Sequence, residues 1–195
     1  MKAKALVQLV LLCCLFLPFS ITLAQDTPAD QAAAQKAWME YMTPGPAQKM
    51  LAESNGEWKF KMKMWMKPDA EPMVSDGTVT YEMIIGGRYQ KAIYKGSFMG
   101  MPFEGWSMTG VDNMTHEITS IWYDNLGTGT SISKGNYDKA TNTVTLRGSS
   151  LDPSTGKDAP FRQTIQFLSK DKQLMQYYMV NGDKEFKTME VESWR

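Results

Sequence analysis

The sequence predicts a mainly β protein: an antiparallel up-and-down barrel of about ten strands, preceded by one or two short helices. Three observations predict it. Apolar and polar residues alternate almost without a break along 57–67. Two runs rich in β-branched and aromatic residues, 78–85 and 88–94, flank Gly86-Gly87. From there to the end, short strand-like runs recur with turn residues between them, and no helical run is long enough for a crossover. Closing such a meander removes its two edges, which favours a barrel. A two-sheet sandwich satisfies the same pattern.

The first 24 residues read as a targeting segment. Lys2 and Lys4 precede an almost unbroken apolar run over 5–19, and Thr22-Leu23-Ala24 places small residues at the first and third positions of a cleavage site. That is the layout of a secretory signal peptide, too short and too terminal for a spanning helix. The expectation is export to the periplasm or beyond, with no transmembrane span after cleavage. Both cysteines, Cys13 and Cys14, fall inside this segment, and Leu12 before Cys13 is not the small residue that a lipid-bearing cysteine follows. The remaining chain then has no disulfide and no thiolate metal site, so its core must hold it together. The 21 Lys and Arg balance 21 Asp and Glu, and no basic tract stands out. Nucleic acid is therefore not an expected partner.

A helical leader is expected over 25–46, with a helix from about 30 to 42 and an apolar stripe at Ala34, Trp38 and Met42. Pro44-Gly45-Pro46 ends it, and a second short helix over 46–53 opens on Pro46. The barrel domain is assigned to 47–195. Its clearest strand puts Trp58, Phe60, Met62, Met64 and Met66 on one face and Lys59, Lys61, Lys63 and Lys67 on the other. The lysine row fits a solvated strand face better than an anion-binding stripe.

Gly86-Gly87 supply positive φ for a tight hairpin turn. A two-residue turn there sets Ile85 opposite Arg88, Met83 opposite Gln90 and Glu82 opposite Lys91. The face carrying Val79, Tyr81, Met83, Ile85, Arg88, Gln90, Ala92 and Tyr94 is assigned to the interior. Further strands are expected over 103–109, 117–124, 130–137, 142–148, 161–168, 173–180 and 184–192.

An ordered set of short motifs follows this frame: Gly56-Glu-Trp58, Tyr81-Glu82 with Gly86-Gly-Arg88, Pro102-Phe-Glu-Gly105, Gly110-Val-Asp-Asn113, Trp122-Tyr-Asp124, Lys134-Gly-Asn-Tyr-Asp138, Gly156-Lys157 and Lys184-Glu-Phe-Lys187. Together they resemble a bacterial family known as domain of unknown function 1579, from about residue 47 to 195. Val111 departs from it, standing where an aromatic residue is expected. The resemblance implies a lipocalin-type, calycin-like barrel with an interior cavity, and brings no established activity and no catalytic residues. Its architecture is also distantly similar to haem-binding nitrobindin barrels, which hold haem through a histidine. The single histidine here, His116, lies in the polar turn segment 113–117, so no cofactor is assigned.

A barrel of this size can enclose a guest, and walls of methionine and aromatic residues suit an apolar or amphipathic one. The candidate lumen residues are Trp58, Met62, Met64, Tyr81, Met83, Arg88, Tyr94, Trp106, Tyr123 and Tyr177. Arg88, Arg147 and Arg162, with Glu82, could anchor a carboxylate or form rim ion pairs. Sixteen methionines are present, and only Met1 precedes residue 25. Thioethers can bind Cu(I), but Met62, Met64, Met175 and Met179 sit at core spacing and read as adaptable packing or a pocket wall. No metal site is assigned. G-x-S-x-G, H-E-x-x-H and phosphate-loop patterns are absent, so no catalytic residue is assigned either.

Three readings follow. The first is an exported barrel that binds a small lipophilic molecule. The second is an envelope interaction protein with a filled barrel and an exposed apolar patch. The third is an enzyme in which Glu82, Asp112 or Asp124 meets Tyr123 or an arginine.

Overall fold

Alternation along the first strand decides which way the sheet faces. The computed structural model describes residues 27–195; the expected signal peptide lies outside them. Two helices, α1 (Pro28–Met42) and α2 (Pro46–Ala52), precede ten strands. These are β1 (Gly56–Met64), β2 (Met73–Ile84), β3 (Tyr89–Phe98), β4 (Met101–Val111), β5 (Ile118–Asp124), β6 (Ser131–Asp138), β7 (Thr143–Asp152), β8 (Lys157–Ser169), β9 (Lys172–Asn181) and β10 (Lys184–Trp194). Sequential strands pair antiparallel, and β1 pairs with β10 to close the barrel. Several strands run further than expected. In particular, β2 begins at Met73 rather than at 78, and β3 and β4 are separated only by Met99 and Gly100.

Along β1, Trp58 and Phe60 are buried and Met62 and Met64 half-buried, while Lys59, Lys61 and Lys63 are exposed. The lysines do not form an unopposed cationic stripe, because Lys61 pairs across with Glu192 and Lys63 with Glu190. Cross-strand charges of opposite sign on a solvated face are what a stable antiparallel pair favours.

α2 lies at one end of the barrel. That end carries the starts of the odd-numbered strands and the finishes of the even-numbered ones. Gln48 and Leu51 of α2 are buried. Gln48 accepts the Gly45 N–H (2.8 Å) through Oε1 and donates through Nε2 to the Val111 carbonyl (2.9 Å). Gln90, buried in β3, donates to the Leu51 carbonyl (2.6 Å). The main core cluster lies beneath: Trp58, Phe60, Val79, Tyr81, Ala92 and Val191. No residue of α1 is buried, so its expected apolar stripe is not a packed face.

The central hairpin keeps its expected register, with Met83 opposite Gln90 and Glu82 opposite Lys91. The ladder nevertheless ends at Ile84 and Tyr89. Residues 85–88 form a wider turn in which Ile85, Gly86 and Gly87 all have positive φ, and the Gly87 and Arg88 N–H groups both donate to the Ile84 carbonyl at 3.1 Å. Ile85 and Arg88 therefore leave the strand alternation, which corrects the placement of Arg88 in the lumen. Its guanidinium is exposed and donates to the Met42 carbonyl at 2.6 Å.

Trp106 and Tyr123 also need correction. They are direct cross-strand partners on the outer face, 45% and 47% exposed. The inward positions of β4 and β5 belong to Phe103, Gly105, Ser107, Ile118, Ser120 and Trp122, in register with inward residues of β3. The cause is steric. A Cβ on Gly105 would meet the Trp122 ring at 2.5 Å, so the inward side of β4 is kept small to seat that indole.

Trp58 and Trp106 should accordingly respond in opposite ways. Trp58 donates its indole N–H to the Ser54 carbonyl (2.7 Å) in a buried site. Trp58→Phe should destabilise the barrel by about 1–3 kcal/mol, since a buried carbonyl loses its donor, and Trp106→Phe by less than about 0.5 kcal/mol as a surface change. Urea midpoints of the two variants check this; equal shifts would contradict the assigned faces.

Candidate functional site

The two ends of the barrel differ in how they are filled. Near α2, Gln173 donates to the Tyr81 hydroxyl (2.7 Å), and the Tyr81 and Tyr94 hydroxyls lie 3.1 Å apart. Rings of Trp58, Tyr81, Tyr94 and Trp122 follow one another from this half toward the other at edge contacts, with centroids 6.1, 6.3 and 5.4 Å apart. This half is packed and polar groups in it are paired. Burial pushes the Tyr81 phenol well above its ordinary range, with Tyr94 adding to the rise, and burial raises Tyr94 as well.

The opposite end is open. It carries the connections over 65–72, 99–100, 125–130, 153–156 and 182–183. A cavity of about 130 Å³ lies there, and its lining includes Met62, Met64, Met73, Ser75, Phe98 and Met99. The Ser75 hydroxyl is shielded from solvent and has no hydrogen-bond partner, alone in this respect among the described side chains. Phe161 stacks on Tyr177 across β8 and β9, with centroids 4.7 Å apart. Burial pushes the Tyr177 phenol up to about 12, opposed by a hydrogen bond with Ser150.

Of the residues singled out from sequence, Trp58, Tyr81, Met83 and Tyr94 occupy inward registers in the α2 half or the middle, and Met62, Met64 and Tyr177 in the middle or the open half. Trp106, Tyr123 and Arg88 do not join them. Met73, Ser75, Phe98 and Met99 line the cavity, although none of them is a sequence-predicted site residue. Period-two alternation back from Val79 through Gly77 to Ser75 and Met73 was the signal that could have found two of them.

The remaining charged candidates are dispersed. Glu82 pairs with Lys91 (3.0 Å) on the outer face. Arg162 (2.6 Å) and Arg147 (3.6 Å) pair with Glu185, also outside. Asp112 accepts the Thr115 and Met114 N–H groups, which hold its carboxyl below the usual range. Asp124 accepts the Trp122 indole N–H at 2.6 Å. Neither Asp112 nor Asp124 hydrogen-bonds Tyr123 or an arginine among the described residues. No group of three or more His, Cys, Asp or Glu capable of holding a metal occurs among the described residues. No described helix is long and apolar enough to cross a membrane.

A closed ten-stranded antiparallel barrel with a helix over one end and an open, methionine-lined other end defines a lipocalin-like barrel protein. Comparison with protein families makes the assignment specific. The chain belongs to the family described as protein of unknown function (DUF1579), whose model matches residues 43–195. Among solved structures, the crystal structure of Rv2717c from M. tuberculosis is similar, with a TM-score of 0.59 and 16% identity over 78% of this chain and 99% of that one. A redesigned β-barrel, b11L5F_LGL, gives a TM-score of 0.38 and 14% identity over 76% of this chain and 94% of that one. At such identities the first likeness is one of fold. No curated protein matches the sequence.

The phenol of Tyr177 generates a pH prediction. Its folded pKa is raised from 10.0 to about 12. The stability tied to that shift is complete below pH 10 and is lost as pH rises through the folded value, because the unfolded chain gives up the proton first. Unfolding free energy measured from pH 10 to about 12 should fall less steeply in Tyr177→Phe than in the parent. Parallel curves would show that the phenol titrates normally.

Proposed function

We propose that this protein is an exported binding protein that takes a small apolar or amphipathic group into the open half of its barrel. The observation that carries the reading is the contrast between the ends: paired polar groups and packed rings under α2, and a methionine-lined cavity with an unpartnered Ser75 hydroxyl at the other end. A buried hydroxyl without a partner is costly, and a guest bearing one hydrogen-bonding group would relieve it.

Volume limits the guest. About 130 Å³ is close to the ~150 Å³ of an engineered cavity that holds benzene, and below the ~300 Å³ at which drug-sized sites begin. The site suits one aromatic ring or a short aliphatic end rather than a whole fatty-acid chain. Apolar side chains at the rim, Met66, Met101, Leu126 and Leu151, are exposed around the entrance and would contact the part left outside. The signal-like segment at 1–24 supports the exported setting.

A second reading has its own observation. Trp106, Tyr123 and Ile132 are exposed on the outer faces of β4, β5 and β6, with Ile121 between them in the pairing. Such a strip fits a protein partner better than a soluble surface.

Native mass spectrometry of the exported protein, with extraction of anything bound and then exposure to phenol, indole and hexanoic acid, tests the first reading. A 1:1 adduct is expected in the parent and should be lost in Ser75→Leu, which fills the cavity and removes the hydroxyl. An apo mass from cells, with no uptake from that panel, would overturn the guest-binding reading and favour the outer strip.

A further inference from the structure

We infer that the methionines of the open end form a binding site for a soft monovalent metal ion, Cu(I), centred on Met64. The inference does not rest on guest binding; it rests on which sulfurs the barrel closure brings together.

Met64 is the last residue of β1, the strand that closes the barrel. Its partner on one side is Met73 of β2, and its partner on the other is Met189 of β10. Three methionines thus stand in a row across three adjacent strands. All three are in register with inward residues: Met62 opposite Ser75 and Val191, and Phe60 opposite Gly77 and Ser193. Side chains directly opposite each other start from Cβ atoms roughly 4.5–5.5 Å apart. Methionine has three rotatable bonds with which to bring its sulfur nearer. Met62, one inward step along β1, and Met99, from the β3–β4 turn, line the same cavity as Met64 and Met73.

The donor set selects the ion. Thioethers are neutral, soft ligands that favour Cu(I) over hard divalent cations. No carboxylate, histidine or cysteine lines this cavity, so Mg²⁺, Ca²⁺ and Zn²⁺ find no preferred ligand there. Position selects it too. At the open end Met73 is 37% and Met99 67% exposed, so both reach solvent there. Exposure leaves a path for an ion and lowers the cost of moving their side chains. Core spacing along β1 alone argues for packing; the row across β2, β1 and β10 and the cavity beside it are what the spacing could not show.

The test is competition for Cu(I) held as its bicinchoninate complex under ascorbate, using the full exported chain. The parent should withdraw one equivalent, and Zn(II) should not displace it. Met64→Leu keeps the volume and apolarity of the wall and removes the sulfur. It should weaken Cu(I) binding by at least about tenfold, no less than the loss of an outer-shell partner costs. Met114→Leu, on the exposed β4–β5 connection, should change nothing. Should Met64→Leu fail to fold, Met73→Leu at its more exposed position makes the same test. No withdrawal by the parent, or equal withdrawal by the folded leucine variant, overturns the inference. Uptake of an organic guest by Met64→Leu with loss of Cu(I) would separate this site from guest binding.

Discussion

Trp58 is held from every side. Its indole donates to the Ser54 carbonyl (2.7 Å), the Tyr81 ring meets its edge (6.1 Å between centroids), and the Arg195 guanidinium lies over its face (4.7 Å). Arg195 in turn donates to the Asn55 carbonyl (2.7 Å), the Glu53 and Lys170 carbonyls (3.1 Å each) and the Asp171 carboxylate (2.9 Å). One buried indole therefore ties the exit of α2, the first residues of β1, the β8–β9 turn and the last residue of the chain. A barrel closes only if its first and last strands stay in register. The pairing of β1 with β10 is a long-range contact whose loop-closure entropy must be offset locally, and the Trp58–Arg195 stack sits where that pairing starts.

With one end locked, the interior is set by rings lying over residues that lack side chains. A Cβ on Gly77 would collide with the Phe60 ring and the Lys95 carbonyl, one on Gly105 with Trp122, and one on Gly148 with Phe161. Aromatic rings bury a large area each, and each of these takes up the space that a bare opposing position leaves. Away from α2, Met62, Met64, Met73 and Met99 share the wall of the cavity with the Phe98 ring. The size of any guest follows from this packing rather than from the diameter of the barrel.

Much of the frame was legible in the sequence because the alternation of β1 and the Gly86-Gly87 turn are local signals that agree with the fold. Met83 opposite Gln90, and the inward face from Val79 to Tyr94, follow from them. Family resemblance through the motifs pointed to the same barrel. Illegible were the places where the usual polarity is reversed. Along β4 the outward residues are Glu104, Trp106 and Met108, while Gly105, Ser107 and Thr109 face inward. A reading that sends the largest apolar residues inside must fail there, since Trp122 on the next strand already claims the space. Arg88 escaped for a different reason. A turn one pair wider than two residues leaves the register intact and frees only the final pair from alternation, and the freed guanidinium holds the Met42 carbonyl.

Several motifs that carry the resemblance turn out to be architectural. Asn113 donates to the carbonyls of Tyr41 (3.0 Å) and Thr43 (2.9 Å) and accepts from Gln48 (3.1 Å), joining the β4–β5 connection to the segment before α2. Trp58 and Arg88 act at the same end. Asp138 organises its own hairpin connection, accepting the Ala140 N–H group at 2.8 Å. These residues specify where the chain turns and how one mouth is shut, and their chemistry is spent on backbone carbonyls and amides. Binding chemistry needs groups whose donors and acceptors are not already engaged. In this barrel that condition is met beside the cavity, by the Ser75 hydroxyl and by thioethers that no hydrogen bond occupies, and none of these residues belongs to the motifs that carry the resemblance.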